Sequence, residues 1–393
     1  MVILNHSFFK KYHNWILIII TFISSVVALM TKNYSSDYRA YTLMWQSVLN
    51  ANNPWGPWGQ NLGNTYGPTF ILLAPFYLIH SLLPKLIFVW CWCWISHQLL
   101  RTLLVSQKKS GIRFQILYLV ILFTPFFWAR ICIQGANDTM VAFFCFLAIR
   151  AAIDEKTIKA GLWISLGSLF KFYPLALLPF LSHRNKKINF KLIFSTLFFI
   201  FCGYLLTYLI WGESFLNPIL QSYSRDSTGD SIFKFIKSEY FPISKAKTIN
   251  YDWLSKYLIL FFSFSVYLRH LIRPIKTEAA CTLIMLIIFT FYGAGMNQYH
   301  IVVHILGLEW ITKEKNLFES NKMLKVALAL YFSYHSIIRP SAKLLWGLTS
   351  NKENDFFNLI PVISFPIFLF LIIAIILSPE SLADYSKKQT KLL

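Results

Sequence analysis

Apolar runs separated by short polar connections dominate the chain. The first, Trp15–Met30, follows Lys10 and Lys11, and others fall at 84–105, 114–129, 139–153, 190–211, 253–269, 278–294, 299–312, 323–338 and 357–377. A helix rising 1.5 Å per residue needs about 20 apolar residues, flanks included, to cross a bilayer. The pattern therefore predicts an all-α fold, a polytopic transmembrane helix bundle of about ten full spans. Two stretches break the rhythm. Thr69–Leu83 is apolar but interrupted by Pro75 and followed by Pro84, which predicts a short or bent interfacial segment leading into the second span. Residues 160–181 are long enough for one crossing yet are flanked on both sides by basic connections, so a re-entrant hairpin turning near Lys171–Pro174 is predicted.

Composition sharpens this picture. Of 393 residues, 56% are hydrophobic and 14% charged, against roughly 25% charged in soluble domains. The formal net charge of +20 would suggest nucleic-acid binding in a soluble protein. Here the cations crowd into the connections assigned to the cytoplasm, such as Lys108, Lys109 and Arg113 or Arg184, Lys186 and Lys187, so they follow from topology and no nucleic-acid partner is expected. The first run reads as a signal anchor, with both termini cytoplasmic. A single integral membrane domain, 1–393, is expected, with external loops at 31–68 and 212–252. Enrichment in Lys, Ile, Phe and Asn favours an AT-rich genome and a bacterial inner (plasma) membrane over an endoplasmic reticulum. The six cysteines lie in or beside apolar runs with no paired zinc pattern, and read as small buried hydrophobes.

Charged and polar groups at the outer ends of spans need an explanation, because such groups are costly near lipid. Asp37 stands just beyond the first span, amid Tyr and Trp. It is either the cap of a helix beginning near Tyr38 or a working base at the water–lipid boundary. Asn137 and Asp138 open the span at Thr139: they cap it, or with Arg130 a turn away they hold sugar hydroxyls. Lys171, about a dozen residues from either end of its apolar segment, is too deep to snorkel easily and should face a phosphate, or else pair with a buried carboxylate or carbonyls. Arg225 lies in a loop of Ser, Thr and Gly able to surround a phosphate, or simply to be solvated. His300 and His304 are four apart; without HExxH, helix-end packing is the expected role and no metal site is predicted.

Five motifs in order resemble the GT-C superfamily of integral-membrane glycosyltransferases. They are Asp37-Tyr38 with the downstream Asn53-Pro54-Trp55, Thr65-Tyr66-Gly67-Pro68, Gln134 to Asp138, Lys171 to Pro174, and Asn297 to His300. The nearest likeness is to bacterial polyprenol-phosphate-mannose-dependent mannosyltransferases and to the first mannosyltransferase of GPI-anchor assembly. That resemblance covers roughly residues 10 to 310. It implies inverting transfer of a hexose, mannose first among candidates, from a polyprenyl-phosphate donor to a lipid, glycan or protein acceptor on the extracytoplasmic face. Asp37 would be the general base, and Lys171, Arg225 and Arg130 would bind the donor phosphate. Tyr38, Tyr66, Asn137, Asp138, Tyr173, Gln298, Tyr299 and His300 would contact sugar or acceptor. The acidic motif of the GPI enzyme carries a second aspartate where this chain has Ser35, so no cofactor and no obligatory metal are expected.

Two other function classes fit a polytopic chain. A transporter or flippase for a lipid-linked sugar predicts an internal repeat and midplane charges in both halves, and the sequence offers only Lys171 and no repeat. A non-catalytic scaffold subunit would leave Asp37 and Lys171 unconstrained.

Overall fold

The computed structural model describes residues 6–31, 36–56, 66–106, 122–184, 187–224, 231–238, 251–293, 297–313, 321–342 and 353–378. Much of the predicted span at 114–129 lies outside them, as do Arg225 and the motif residue Thr65. The described residues are almost entirely helical, with one two-stranded antiparallel ribbon, His183–Arg184 against Lys187–Ile188. The chain divides into two compact units: Met1–Leu175 with Lys191–Ser224, and Ala176–Phe190 with Arg225–Leu393.

In the first unit, helix His6–Met30 packs against helix Leu83–Ser106 and against the π-helical turn Trp128–Ile133. Between them the chain forms helix Ser36–Leu49 and two short helices, Pro68–Ile71 and Ala74–Ile79. Pro68 sits at the start of its helix, where the missing N–H costs no helical bond. These short pieces meet helix Leu83–Leu104 at a 118° bend, the broken segment that Pro75 and Pro84 announce. A second bend, of 112°, joins Pro125–Ile133 to Asp138–Ile153. Gly135 supplies the left-handed backbone for that turn, at φ +70°.

Helix Asp138–Ile153 pairs with Thr157–Ser168, which ends before Lys171. The next helical residues form the short 3₁₀ turn Tyr173–Leu177, so Lys171 lies in a break between helices. Helix Phe190–Trp211 leaves Phe194, Leu197, Phe198, Phe201 and Leu205 exposed, the apolar outer face expected against lipid. By length and apolarity alone, two described helices can cross a membrane, or up to four if each bent pair counts as one span.

In the second unit, helix Thr277–Phe291 is buried along nearly its whole length, packed by Tyr251–Ile272, His300–Lys313 and Glu353–Leu377. Lys313 fastens one end, bonding Glu278 at 2.9 Å and Glu309 at 3.0 Å. Glu353–Leu377 contains Pro361 and Pro366. Prolines are tolerated inside membrane helices where neighbours satisfy the freed carbonyls.

One close backbone approach organises the first unit. Gly67 N donates to Phe170 O at 3.2 Å and Thr69 N to Leu169 O at 3.1 Å, so the Tyr66–Thr69 strand of chain lies directly on the break before Lys171. A Cβ at Gly67 would collide with the Leu169 carbonyl, an immovable backbone group. Gly67→Ala is therefore expected to cost about 1–3 kcal/mol, the range for forced overpacking. The check is a lowered unfolding midpoint of the detergent-solubilised protein.

Candidate active site

Asp37 lies in the first turn of helix Ser36–Leu49 and is partly buried. An acid there is favoured by the positive end of the helix dipole. One face of this helix carries Tyr38, Tyr41 and Trp45, all buried, at helical spacing. Tyr38 donates to Ser81 O at 2.9 Å, so its hydroxyl is committed to the backbone. Tyr41 receives a hydrogen bond from Tyr66 OH at 3.2 Å, with the rings edge to face at 5.1 Å. Tyr66 is in turn held through its carbonyl by Trp55 Nε1 at 2.7 Å, which gives the Asn53-Pro54-Trp55 motif its structural work.

Burial pushes both the Tyr41 and Tyr66 phenols well above their ordinary range, and the charges of Asp37 and Asp138 push them the same way. Both phenols thus remain protonated donors at any working pH.

Asp138 forms the centre of the other half. Its side chain is fully buried, and Oδ1 accepts from Lys171 Nζ at 2.7 Å and from Tyr173 OH at 2.9 Å. Of the two anions the sequence left open for Lys171, the structure supplies the buried carboxylate. The Lys171 ammonium also stands 5.2 Å from the centre of the Tyr66 ring, where the negative face of the ring attracts a cation. Asp138 Oδ2 and both amide atoms of Asn137 are buried without a hydrogen bond of good geometry, although the amide is within reach of the Tyr66 phenol. Asn137 makes no side-chain capping bond to its helix. Simple capping therefore does not account for this pair, and their unused polar atoms can receive hydroxyl groups.

Arg130, on the π-helical turn, is half-buried and donates to Gln134 Oε1 at 2.6 Å. Such turns widen a helix by one residue and recur at functional sites. Among the residues proposed from sequence, Asp37, Tyr38, Tyr66, Arg130, Asn137, Asp138, Lys171 and Tyr173 thus fall in the first unit. Sequence reasoning missed Tyr41 and the deeply buried Lys85. The spacing of Tyr38, Tyr41 and Trp45 on one helix face was the available signal for Tyr41.

Gln298, Tyr299 and His300 lie in the second unit, on and just after the 3₁₀ turn Asn297–Tyr299, and all are buried. His300 Nδ1 is 2.8 Å from Tyr331 OH, and His304 Nδ1 is 2.7 Å from the His300 carbonyl. His335 packs 4.6 Å from His300, ring to ring, and hydrogen-bonds Asn297. His335 and Tyr331 lie beyond residue 320, where the sequence offered no motif. Among the described residues, no three His, Cys, Asp or Glu side chains are grouped so as to hold a metal ion. All six cysteines are free thiols.

Lys171→Met should destabilise the protein by about 3–5 kcal/mol, because it leaves a buried carboxylate without its cation. The double variant with Asp138→Asn should recover part of that loss, as measured by denaturation midpoints in detergent. A search of curated proteins finds no match to the chain. The sequence profile of glycosyltransferase family 87 matches residues 64–292. That region runs from just before Tyr66 to just before Asn297, and so includes Arg130, Asn137, Asp138, Lys171 and Tyr173. The match covers more than half of the chain, which belongs to glycosyltransferase family 87, a family of GT-C-type membrane glycosyltransferases.

Proposed function

We propose that this glycosyltransferase moves one hexose, mannose first among candidates, from a polyprenyl-phosphate carrier to an acceptor hydroxyl at the extracytoplasmic face of a bacterial inner membrane. The chain would span that membrane about ten times by the apolar-run count. The single observation that carries the reading is that Tyr66, bonded to Tyr41 on the helix that Asp37 opens, also stands 5.2 Å from the Lys171 ammonium that meets Asp138.

In this mechanism the Asp37 carboxylate takes the proton of the acceptor hydroxyl as its oxygen attacks the anomeric carbon. The bond from that carbon to the phosphate oxygen breaks on the opposite face, and the lipid phosphate leaves with the electron pair. The configuration inverts. Phosphate is already a good leaving group, so a base is the main chemical requirement, contributing about 10²- to 10⁴-fold. Asp138 is unsuited to that task because Lys171 and Tyr173 already bond one of its oxygens. Its second oxygen, with Asn137 and Tyr66, suits sugar hydroxyls. With Lys171 already matched by Asp138, the donor phosphate falls chiefly to Arg130 within this unit. No metal is required in this scheme, since the lipid phosphate leaves with no further charge to neutralise than cationic side chains can meet.

Membranes carrying the protein, supplied with labelled polyprenyl-phosphate mannose, should transfer label to an extractable acceptor. Asp37→Asn should lower that transfer at least a hundredfold while donor binding and protein level persist; undiminished transfer would remove Asp37 from the mechanism. Treatment with a chelator should leave the rate unchanged, and activity lost to chelation and restored by one divalent ion would refute the metal-free scheme.

A further inference from the structure

Lys85 is 2% exposed, in the first turn of a long apolar helix, and no carboxylate among the described residues pairs with it. Its ammonium instead makes three hydrogen bonds to the end of helix His6–Met30: to Ala28 O at 3.1 Å, Thr31 O at 3.1 Å and Thr31 Oγ1 at 2.8 Å. The last carbonyls of a helix have no partners within it and carry the negative end of its dipole, so a buried cation is a fitting cap. The Thr31 hydroxyl shares its one proton among Val27 O at 2.9 Å, Ala28 O at 3.2 Å and Cys132 O at 3.2 Å, so the same end also lies against the π-helical turn.

Asp37 follows six residues after Thr31. Its neighbour Tyr38 bonds Ser81 O, four residues before Lys85, so the segment 81–85 holds both the end of the first helix and the first turn of the helix that bears Asp37. Gly135 closes the junction. A Cβ there would stand 2.7 Å from the Tyr38 ring and 3.3 Å from the Lys85 side chain, so the turn that launches Asp138 rests on both ties. A charged group buried in a membrane helix at such cost has a purpose beyond packing.

We propose that Lys85 is a positioning residue for the transfer reaction: by closing the end of helix His6–Met30 it sets where the next helix begins, and with it where the Asp37 carboxylate stands relative to the acceptor. This rests on Asp37 being the general base. Misplacing a base by an ångström lowers turnover without weakening a donor bound through other contacts.

The test compares Lys85→Met, Lys85→Arg, Thr31→Val and Asp37→Asn in purified protein, using labelled polyprenyl-phosphate mannose as donor. Lys85→Met is expected to lower kcat tenfold or more with donor KM within twofold of wild type. Lys85→Arg should restore part of kcat, and Thr31→Val should show a milder, threefold loss in kcat alone. Unchanged kcat in folded Lys85→Met, or a change confined to KM, overturns the proposal. If Lys85→Met does not fold, unchanged kcat in Thr31→Val overturns it instead. Asp37→Asn separates the two ideas: loss of transfer there with normal kcat at Lys85→Met sinks the positioning role alone, whereas retained transfer in Asp37→Asn sinks both.

Discussion

A carboxylate sealed away from water must be met by cations and donors or not be charged at all. Asp138 is met by Lys171 and Tyr173, which come from a different part of the chain. That pairing requires the helix Asp138–Ile153 to be launched at a particular angle, the helix Thr157–Ser168 to stop before Lys171, and the Tyr66 segment to cover both. Each requirement has a visible local device. Gly135 turns the backbone into the left-handed region, and Gly67 admits the backbone of Leu169 and Phe170 where a side chain would not fit.

The site of the first unit is built where helices are interrupted. Within a bilayer, irregular backbone survives only when protein groups satisfy its N–H and C=O groups. The break at Leu169–Phe170 meets this condition by bonding to Gly67 and Thr69. The end of helix His6–Met30 meets it through the Lys85 ammonium. The same breaks that would be liabilities in a plain bundle bring polar side chains to one place, because only at a break can neighbouring side chains converge from several directions.

The second unit uses polarity differently. Three of its buried histidines lie on continuous or nearly continuous helices: His300 bonds Tyr331, His335 bonds Asn297, and His304 bonds the turn before it. Such a network rigidifies its helices when its members are satisfied.

The amino-acid sequence by itself determined the helical class, the existence and rough limits of most helices, the broken segment around Pro75, and the suspicion attached to Asp37, Asp138 and Lys171. These are readable because hydrophobicity and the cost of a charge near lipid are properties of a residue and its immediate neighbours. Only the tertiary structure decided that Lys171 answers Asp138, that Tyr41 joins Tyr66, that Asn137 leaves its own helix uncapped, and that Lys85 closes another helix. Those facts depend on which segments meet across 25 to 57 residues of chain. Pairing at that distance is set by the packing of whole helices, and no local pattern records it.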